Sequence, residues 1–147
     1  MSLRPATPDD LDEIIALIRD LAEYERAADE VTLDREELAS HLFPSSGTPA
    51  ASVVLAVDDA TGEVAGFALY HGTFSTWLGK PGIWLEDLFV RPAHRKRGHG
   101  LALLQHLRTL TDGRVEWAVL DWNTPSIEFY EALGARPVPG WTRYRWI

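Results

Sequence analysis

Between Val90 and Leu101 the chain sets three cations and two glycines in one run, Arg95-Lys96-Arg97-Gly98-His99-Gly100, where an apolar strand gives way to a helix. A helix N-terminus offers backbone N–H groups with no partner inside the helix, together with the positive end of its dipole. Such groups bind phosphate, and residues without a Cβ let the backbone come close to it. The chemistry that fits is the holding of a phosphorylated cofactor. Spacing excludes two common loops. A P-loop requires Gly, four residues and Gly-Lys-Ser/Thr, whereas Gly100 is followed by Leu101-Ala102. A dinucleotide fingerprint requires three glycines, and Leu103 stands at the third position of Gly98-His99-Gly100-Leu101-Ala102-Leu103. A turn that needs glycine only for its positive φ is the plain alternative.

Upstream, Glu86 and Asp87 are neighbours on the same strand. Their side chains should point to opposite faces unless a bulge intervenes. Two carboxylates at the mouth of a buried strand cost desolvation energy unless a cation or hydrogen bonds compensate. They can therefore bind an amine and take its proton, or simply cap exposed backbone. Trp77 and Trp84 flank them and can wall an aminoalkyl chain by cation–π contact, although six tryptophans in one chain means most are structural. Tyr130, in Ser126-Ile127-Glu128-Phe129-Tyr130-Glu131, has a phenol whose ordinary pKa of about 10 keeps it protonated at neutral pH. It can donate to a departing anion or pack beside Phe129. Asn123 and Thr124 suit a helix cap. The histidines show no metal-ligand spacing; His99 serves by its backbone N–H, and His41 and His71 read as surface or packing residues.

The elements that must position these groups are legible in order. Thr7, Pro8 and Asp10 have the form of a capping box, and Leu11, Ile14, Ile15, Ile18, Leu21 and Ala22 follow at helical spacing. A second helix is predicted over Asp34–Leu42. Strands are expected at Ser52–Val57 and Glu63–Phe74, with Asp58-Asp59-Ala60-Thr61-Gly62 as their turn. Gly79-Lys80-Pro81-Gly82 should break the chain before a strand at Ile83–Val90. A helix at Gly100–Thr111, a strand at Val115–Leu120, a helix over Pro125–Leu133 and a last strand at Trp141–Trp146 complete an α/β arrangement in one domain, 1–147.

Composition narrows the partners. With 14 Lys+Arg against 22 Asp+Glu the net charge is −8, which argues against general nucleic-acid binding. There is no cysteine, so disulfides, thiolate metal sites and a cysteine nucleophile are excluded. No stretch has the length of a membrane span or a signal-peptide core, so a cytoplasmic protein with no membrane partner and no metal is expected.

The loop Arg95-Lys96-Arg97-Gly98-His99-Gly100 resembles the Arg/Gln-x-x-Gly-x-Gly/Ala segment of the GCN5-related N-acetyltransferases (GNAT), and the element order is similar to that family's layout over nearly the whole chain. Arg19-Asp20-Leu21-Ala22-Glu23-Tyr24-Glu25, Phe74-Ser75-Thr76-Trp77-Leu78-Gly79-Lys80, Leu85-Glu86-Asp87 and Val119-Leu120-Asp121-Trp122-Asn123 resemble its diamine and thialysine acetyltransferase branch. The resemblance implies a mixed central sheet splayed at an acetyl-CoA site, with helices on both faces. It implies that the backbone of Leu88, Phe89 and Val90 meets the pantetheine arm. Arg95, Lys96, Arg97, Gly98, His99, Gly100 and Leu101 would cradle the pyrophosphate. Asn123 and Ser126 would contact the CoA arm, and Tyr130 would protonate the leaving thiolate. Glu86 would remove the ammonium proton through water and Asp87 would bind the cation, with Tyr24, Glu25, Trp77 and Trp84 lining the same site.

Two departures set the expected substrate. Ser75 stands where polyamine-acetylating members carry an additional acid, and the chain stops at Ile147 without their acidic extension. A lysine-like amine such as thialysine, or a short diamine, is thus expected over spermidine and spermine; the resemblance also implies a homodimer. A protein or peptide acetyltransferase of the same fold and a non-catalytic acyl-CoA sensor are the alternatives.

Overall fold

The computed structural model describes residues 1–147. They form two compact units, Met1–Trp117 and Ala118–Ile147. In the first, the chain opens with strand β1 (Ser2–Pro5) and turns at Thr7 into a 3-10 turn, Pro8–Asp10, that leads into helix α1 (Leu11–Tyr24). The capping box is present: the Thr7 backbone N–H donates to the Asp10 carboxylate at 2.8 Å. Arg4 clamps the same carboxylate through both guanidinium nitrogens, at 2.8 and 2.9 Å. Helix α2 (Arg35–Leu42) follows, with Asp34 at its N-cap position.

Strands β2 (Ser52–Val57), β3 (Val64–Ser75), β4 (Lys80–Val90) and β5 (Val115–Glu116) complete a five-stranded sheet in the order β1-β2-β3-β4-β5. All pairs are antiparallel except β4–β5, which is parallel. Alternation along the strands divides the core. Val53, Leu55, Phe67, Leu69 and Phe89 gather with Ile14, Leu17 and Leu21 of α1 and Leu42 of α2 in one cluster. The intervening Val54, Ala56 and Ala68 are equally buried and point to the other face. Helix α3 (His99–Thr109) packs against β2, β3 and β4 through its buried Leu103, Leu104 and Leu107. Each fully buried Leu or Phe contributes about 1.5–3 kcal/mol, so the sheet that carries the site is held from both faces.

The structure corrects four expectations. Strand β1 carries no strand signal in sequence, because Ser2-Leu3-Arg4-Pro5 has one apolar residue and a proline. It forms by backbone pairing at the sheet edge, where proline is tolerated. The predicted break at Gly79–Gly82 lies earlier: the turn occupies residues 76–79, and Lys80, Pro81 and Gly82 already belong to β4. Gly79 takes the positive φ of 66° that ends the turn. Gly82 answers a close approach instead, since a Cβ there would lie 2.5 Å from the Arg114 carbonyl oxygen. The strand predicted at Val115–Leu120 pairs only at Val115 and Glu116. Trp117 and Val119 still alternate in burial with Ala118 and Leu120; the pattern sets a face but not a hydrogen-bonding neighbour.

The second unit contains helix α4 (Thr124–Ala132) and an irregular tail. The last strand predicted at Trp141–Trp146 does not form, and Trp141, Tyr144 and Trp146 are exposed. Aromatic β-propensity is realised only against a paired edge and a surface to cover.

Candidate active site

The glycine loop is built by three breaks in regular backbone. After β4 a short 3-10 turn, Pro92–His94, reverses the chain. Lys96 then adopts a φ of 63° and Gly98 a φ of 86°, and α3 begins at His99. The Gly98 position is left-handed, where a Cβ costs about 1–2 kcal/mol. The first bond inside the helix runs from the Ala102 N–H to the Gly98 carbonyl at 2.9 Å. The N–H groups of His99, Gly100 and Leu101 therefore precede the helical ladder and carry no side-chain cap. This is a cradle that fits a diphosphate.

The basic side chains of the loop take different directions. Arg95 Nε donates to the Val90 carbonyl at 2.8 Å, and its guanidinium carbon lies 5.5 Å from the Tyr24 ring centre and 5.3 Å from that of Phe89. Arg97 donates to Asp58 at 3.1 Å. Lys96 is exposed. The His99 side chain is buried, edge-on to His94 with ring centres 6.1 Å apart. Burial first, and then the charge of His94, lowers its pKa.

A bulge settles the geometry of the acidic pair. Leu69 pairs with Asp87 and Tyr70 with Leu85, which leaves Glu86 as the extra residue. Bulges re-aim side chains and suspend strict alternation. Glu86 is exposed and accepts the Trp84 indole N–H at 2.9 Å. Asp87 is half-buried; desolvation, then the charges of Glu86 and Glu25, push its pKa up to about 6. Glu25, at the C-cap of α1, is also raised, by burial and then by Glu86. Three carboxylates thus repel one another on the first unit's surface, an arrangement that favours a bound cation.

Beyond the bulge, Leu88, Phe89 and Val90 pair with Ala68, Phe67 and Gly66 of β3. Pairing of β4 with β5 is confined to Ile83 and Trp84, so the sheet is splayed beside Leu88–Val90. Alternate backbone groups of an antiparallel strand point to each edge, and those on the splayed edge can hold an amide-bearing arm. Trp84 is half-buried beside the carboxylates, whereas Trp77 is 78% exposed on the β3–β4 turn. Tyr24 stands at the end of α1 beneath Arg95, so α1 links the carboxylate cluster to the glycine loop.

The remaining candidates lie on the second unit. Asn123 is buried and its side-chain oxygen accepts the Ser126 N–H at 3.4 Å, the cap that its position before Pro125 suggests. Ser126 is half-buried in the first turn of α4. Tyr130 is half-buried further along, its ring 5.6 Å from Phe129 at 52°.

Sequence spacing misses Asp58 and His94. It reports Asp58 only as part of a polar turn, yet the Asp58 carboxylate meets Arg97 and His94. Those partners stand 39 and 36 residues away, and no local pattern reports such a pairing.

The profile of the Acetyltransferase (GNAT) family matches residues 13–135. The chain belongs to the GNAT acetyltransferase family. It is 35% identical to a thialysine N-epsilon-acetyltransferase of Bos taurus, over 97% of this chain and 90% of that protein. It is 30% identical to an L-ornithine N5-acetyltransferase of Arabidopsis thaliana, over 95% and 81%. A solved structure titled as a probable acetyltransferase superimposes with a TM-score of 0.79 at 23% identity, over 100% of this chain and 97% of that one. This GNAT protein is therefore an acetyl-CoA-dependent N-acetyltransferase that acts on amines. No helix is long and apolar enough to cross a membrane.

Proposed function

We propose that this enzyme moves the acetyl group of acetyl-CoA directly to the primary amine of a small lysine-like or diamine substrate, with thialysine favoured over spermidine and spermine. The observation that carries the reading is the cluster formed by Glu86 and Asp87 on the bulged strand and Glu25 at the end of α1, with Trp84 donating to Glu86. Three acids in a small patch suit one or two ammonium groups on a short chain. Ser75 at the turn, in place of a further acid, disfavours a long polycation. The relatives named for the Nε of thialysine and the N5 of ornithine support the same class.

The cosubstrate supplies an acetyl group already activated as a thioester. Asp87 and Glu25 hold the cation, and Glu86 takes the ammonium proton through water, leaving a neutral nitrogen to attack the thioester carbonyl. As the new C–N bond forms and the C–S bond breaks, Tyr130 gives its proton to the thiolate, and the second proton released by the nitrogen as it becomes an amide returns through water to the Tyr130 phenolate. Those backbone groups of Leu88, Phe89 and Val90 that face away from β3 hold the pantetheine amides and polarise the carbonyl. The loop Arg95–Leu101 binds the diphosphate, and Asn123 and Ser126 touch the arm between. Trp77, Trp84 and Tyr24 wall the amine. Because the family profile runs through both compact units, the chain acts as one catalytic domain. The exposed Phe74, Trp77 and Leu78 at the β3–β4 turn support a homodimer, and the reading places it in the cytoplasm.

The test is CoA release from acetyl-CoA with thialysine, lysine, ornithine, putrescine, spermidine, spermine and a lysine peptide as acceptors. The highest kcat/KM on thialysine or another short amine is the expected result. A peptide optimum would replace this reading with protein acetylation. Tight acetyl-CoA binding with no turnover on any acceptor would replace it with an acyl-CoA sensor. Light scattering of the eluted protein measures the dimer.

A further inference from the structure

Asp58 follows β2 and is buried, 8% exposed, although it is a carboxylate in a turn. Its two oxygens have separate duties. Oδ1 accepts the Ala60 N–H at 2.9 Å, which fixes the group from within its own turn. The turn is closed further by the Asp58 N–H to the Glu63 carbonyl at 2.9 Å and the Gly62 N–H to the Asp58 carbonyl at 2.7 Å. Oδ2 faces outward and meets two side chains of the glycine loop: Arg97 at 3.1 Å and His94 Nδ1 at 3.2 Å. The other ring nitrogen of His94 lies 3.3 Å from Glu63, at the far end of the same turn. The β2–β3 turn thus grips the loop on either side of Lys96, the residue with the strained φ of 63°. The backbone hydrogen bond from Ala60 is the first cause of the lowered Asp58 pKa, with the His94 charge adding to it.

This grip assigns Arg97 a partner within the protein. An arginine already paired with a buried carboxylate brings little net charge to a phosphate, whereas a loop whose backbone bends against its preference needs an external hold to stay aimed. We propose that Asp58 is the positioning residue of the acetyl-CoA loop: through Arg97 and His94 it holds residues 94–99 so that the N–H groups of His99, Gly100 and Leu101 face the diphosphate. The inference rests on the reading of that loop as the diphosphate site. Asp58 touches neither substrate in this role.

The experiment compares Asp58→Asn, Arg97→Gln and the double variant, each with acetyl-CoA and with S-acetylpantetheine, a donor that lacks the diphosphate. Asp58→Asn should raise KM for acetyl-CoA fivefold or more, with kcat and the amine KM within twofold, and should leave the KM for S-acetylpantetheine unchanged. The double variant should be no worse than the poorer single one, because both changes break one contact. Multiplying penalties would mean that Arg97 meets the cosubstrate directly, and the proposal would fall. It would fall equally if kcat dropped at constant KM, or if both donors lost alike. Should Asp58→Asn not fold, His94→Gln breaks the same grip and must show the same split between donors; no change there overturns the proposal. Gly98→Ala separates the two levels of the argument. If it raises the acetyl-CoA KM while Asp58→Asn does not, the loop reading stands and the Asp58 role is lost. If Gly98→Ala also leaves that KM unchanged, the loop is not the diphosphate site.

Discussion

Asp87→Asn probes the carboxylate cluster by two opposed effects. In the folded protein Asp87 is raised from its ordinary 3.8 to about 6, and each tenfold change in a proton equilibrium is about 1.4 kcal/mol. Holding the ionised form therefore costs the free enzyme about 3 kcal/mol as a ceiling at pH 8. The sign follows from linkage: the folded state keeps the proton to higher pH than the unfolded chain, so stability from this group is full below about pH 4 and is lost as pH rises through about 6. The asparagine variant has no such charge to bury. Thermal unfolding of both proteins without ligand, from pH 5 to 8, should show the variant gaining on the parent as pH rises. The gain should reach at most about 6–12 °C in Tm at pH 8, at about 2–4 °C per kcal/mol for a chain of this size. Activity should move the other way. Losing a charge-assisted contact of about 1.5–3 kcal/mol raises the amine KM roughly 10- to 150-fold. A variant less stable than its parent at pH 8, or a difference flat across pH, would refute the reasoning that burial and like charges strain this site.

The other substitutions separate the remaining groups. Tyr130→Phe removes one hydroxyl and little packing, and should lower kcat about 100-fold while acetyl-CoA affinity, measured by calorimetry, stays within twofold. Glu86→Gln should lower kcat/KM for the amine with a penalty that shrinks between pH 7 and 10, because free amine then replaces what the carboxylate supplies; a pH-rate profile reads this. Gly66→Ala would put a Cβ 2.4 Å from the Phe89 carbonyl oxygen and should destabilise the protein by about 1–3 kcal/mol through forced displacement of β4, seen as a lower midpoint in guanidinium unfolding.

Local signals carry the sequence reading a long way. The capping box at Thr7–Asp10, the helical spacing of Ile14 and Leu21, and the glycine loop before α3 all depend on residues a few positions apart, and all are present. The Glu86 bulge stays open in sequence because one strand does not reveal how its neighbour is registered; the shift opposite Leu69 and Tyr70 decides it. Strand β1 and the missing strand at Trp141–Trp146 fail in opposite directions for one reason: a strand is made by pairing with a distant partner, which local composition does not report; Ser2–Pro5 pairs with β2, and the aromatic tail pairs with no strand. Resemblance names Glu25 and Asp87, but their electrostatic coupling depends on where the end of α1 meets β4. The Asp58 grip is invisible in sequence because its partners are distant along the chain.

The loop's three cations are not equivalent, and the structure gives the reason. Arg97 faces a buried carboxylate, which cancels its charge locally. Arg95 is held by a carbonyl oxygen and two aromatic faces, contacts that orient a guanidinium without neutralising it. In a chain of net charge −8 an anion site must keep positive charge unspent close to its N–H groups. On the proposed reading, Arg95 and the exposed Lys96 supply that charge and Arg97 supplies rigidity. The same Tyr24 face that steadies Arg95 adjoins Glu25 in sequence, so one end of α1 borders both the cationic loop and the anionic cluster. On the same reading, a shift of that helix end would disturb cosubstrate and amine together, so α1 would keep the two charged sites in register.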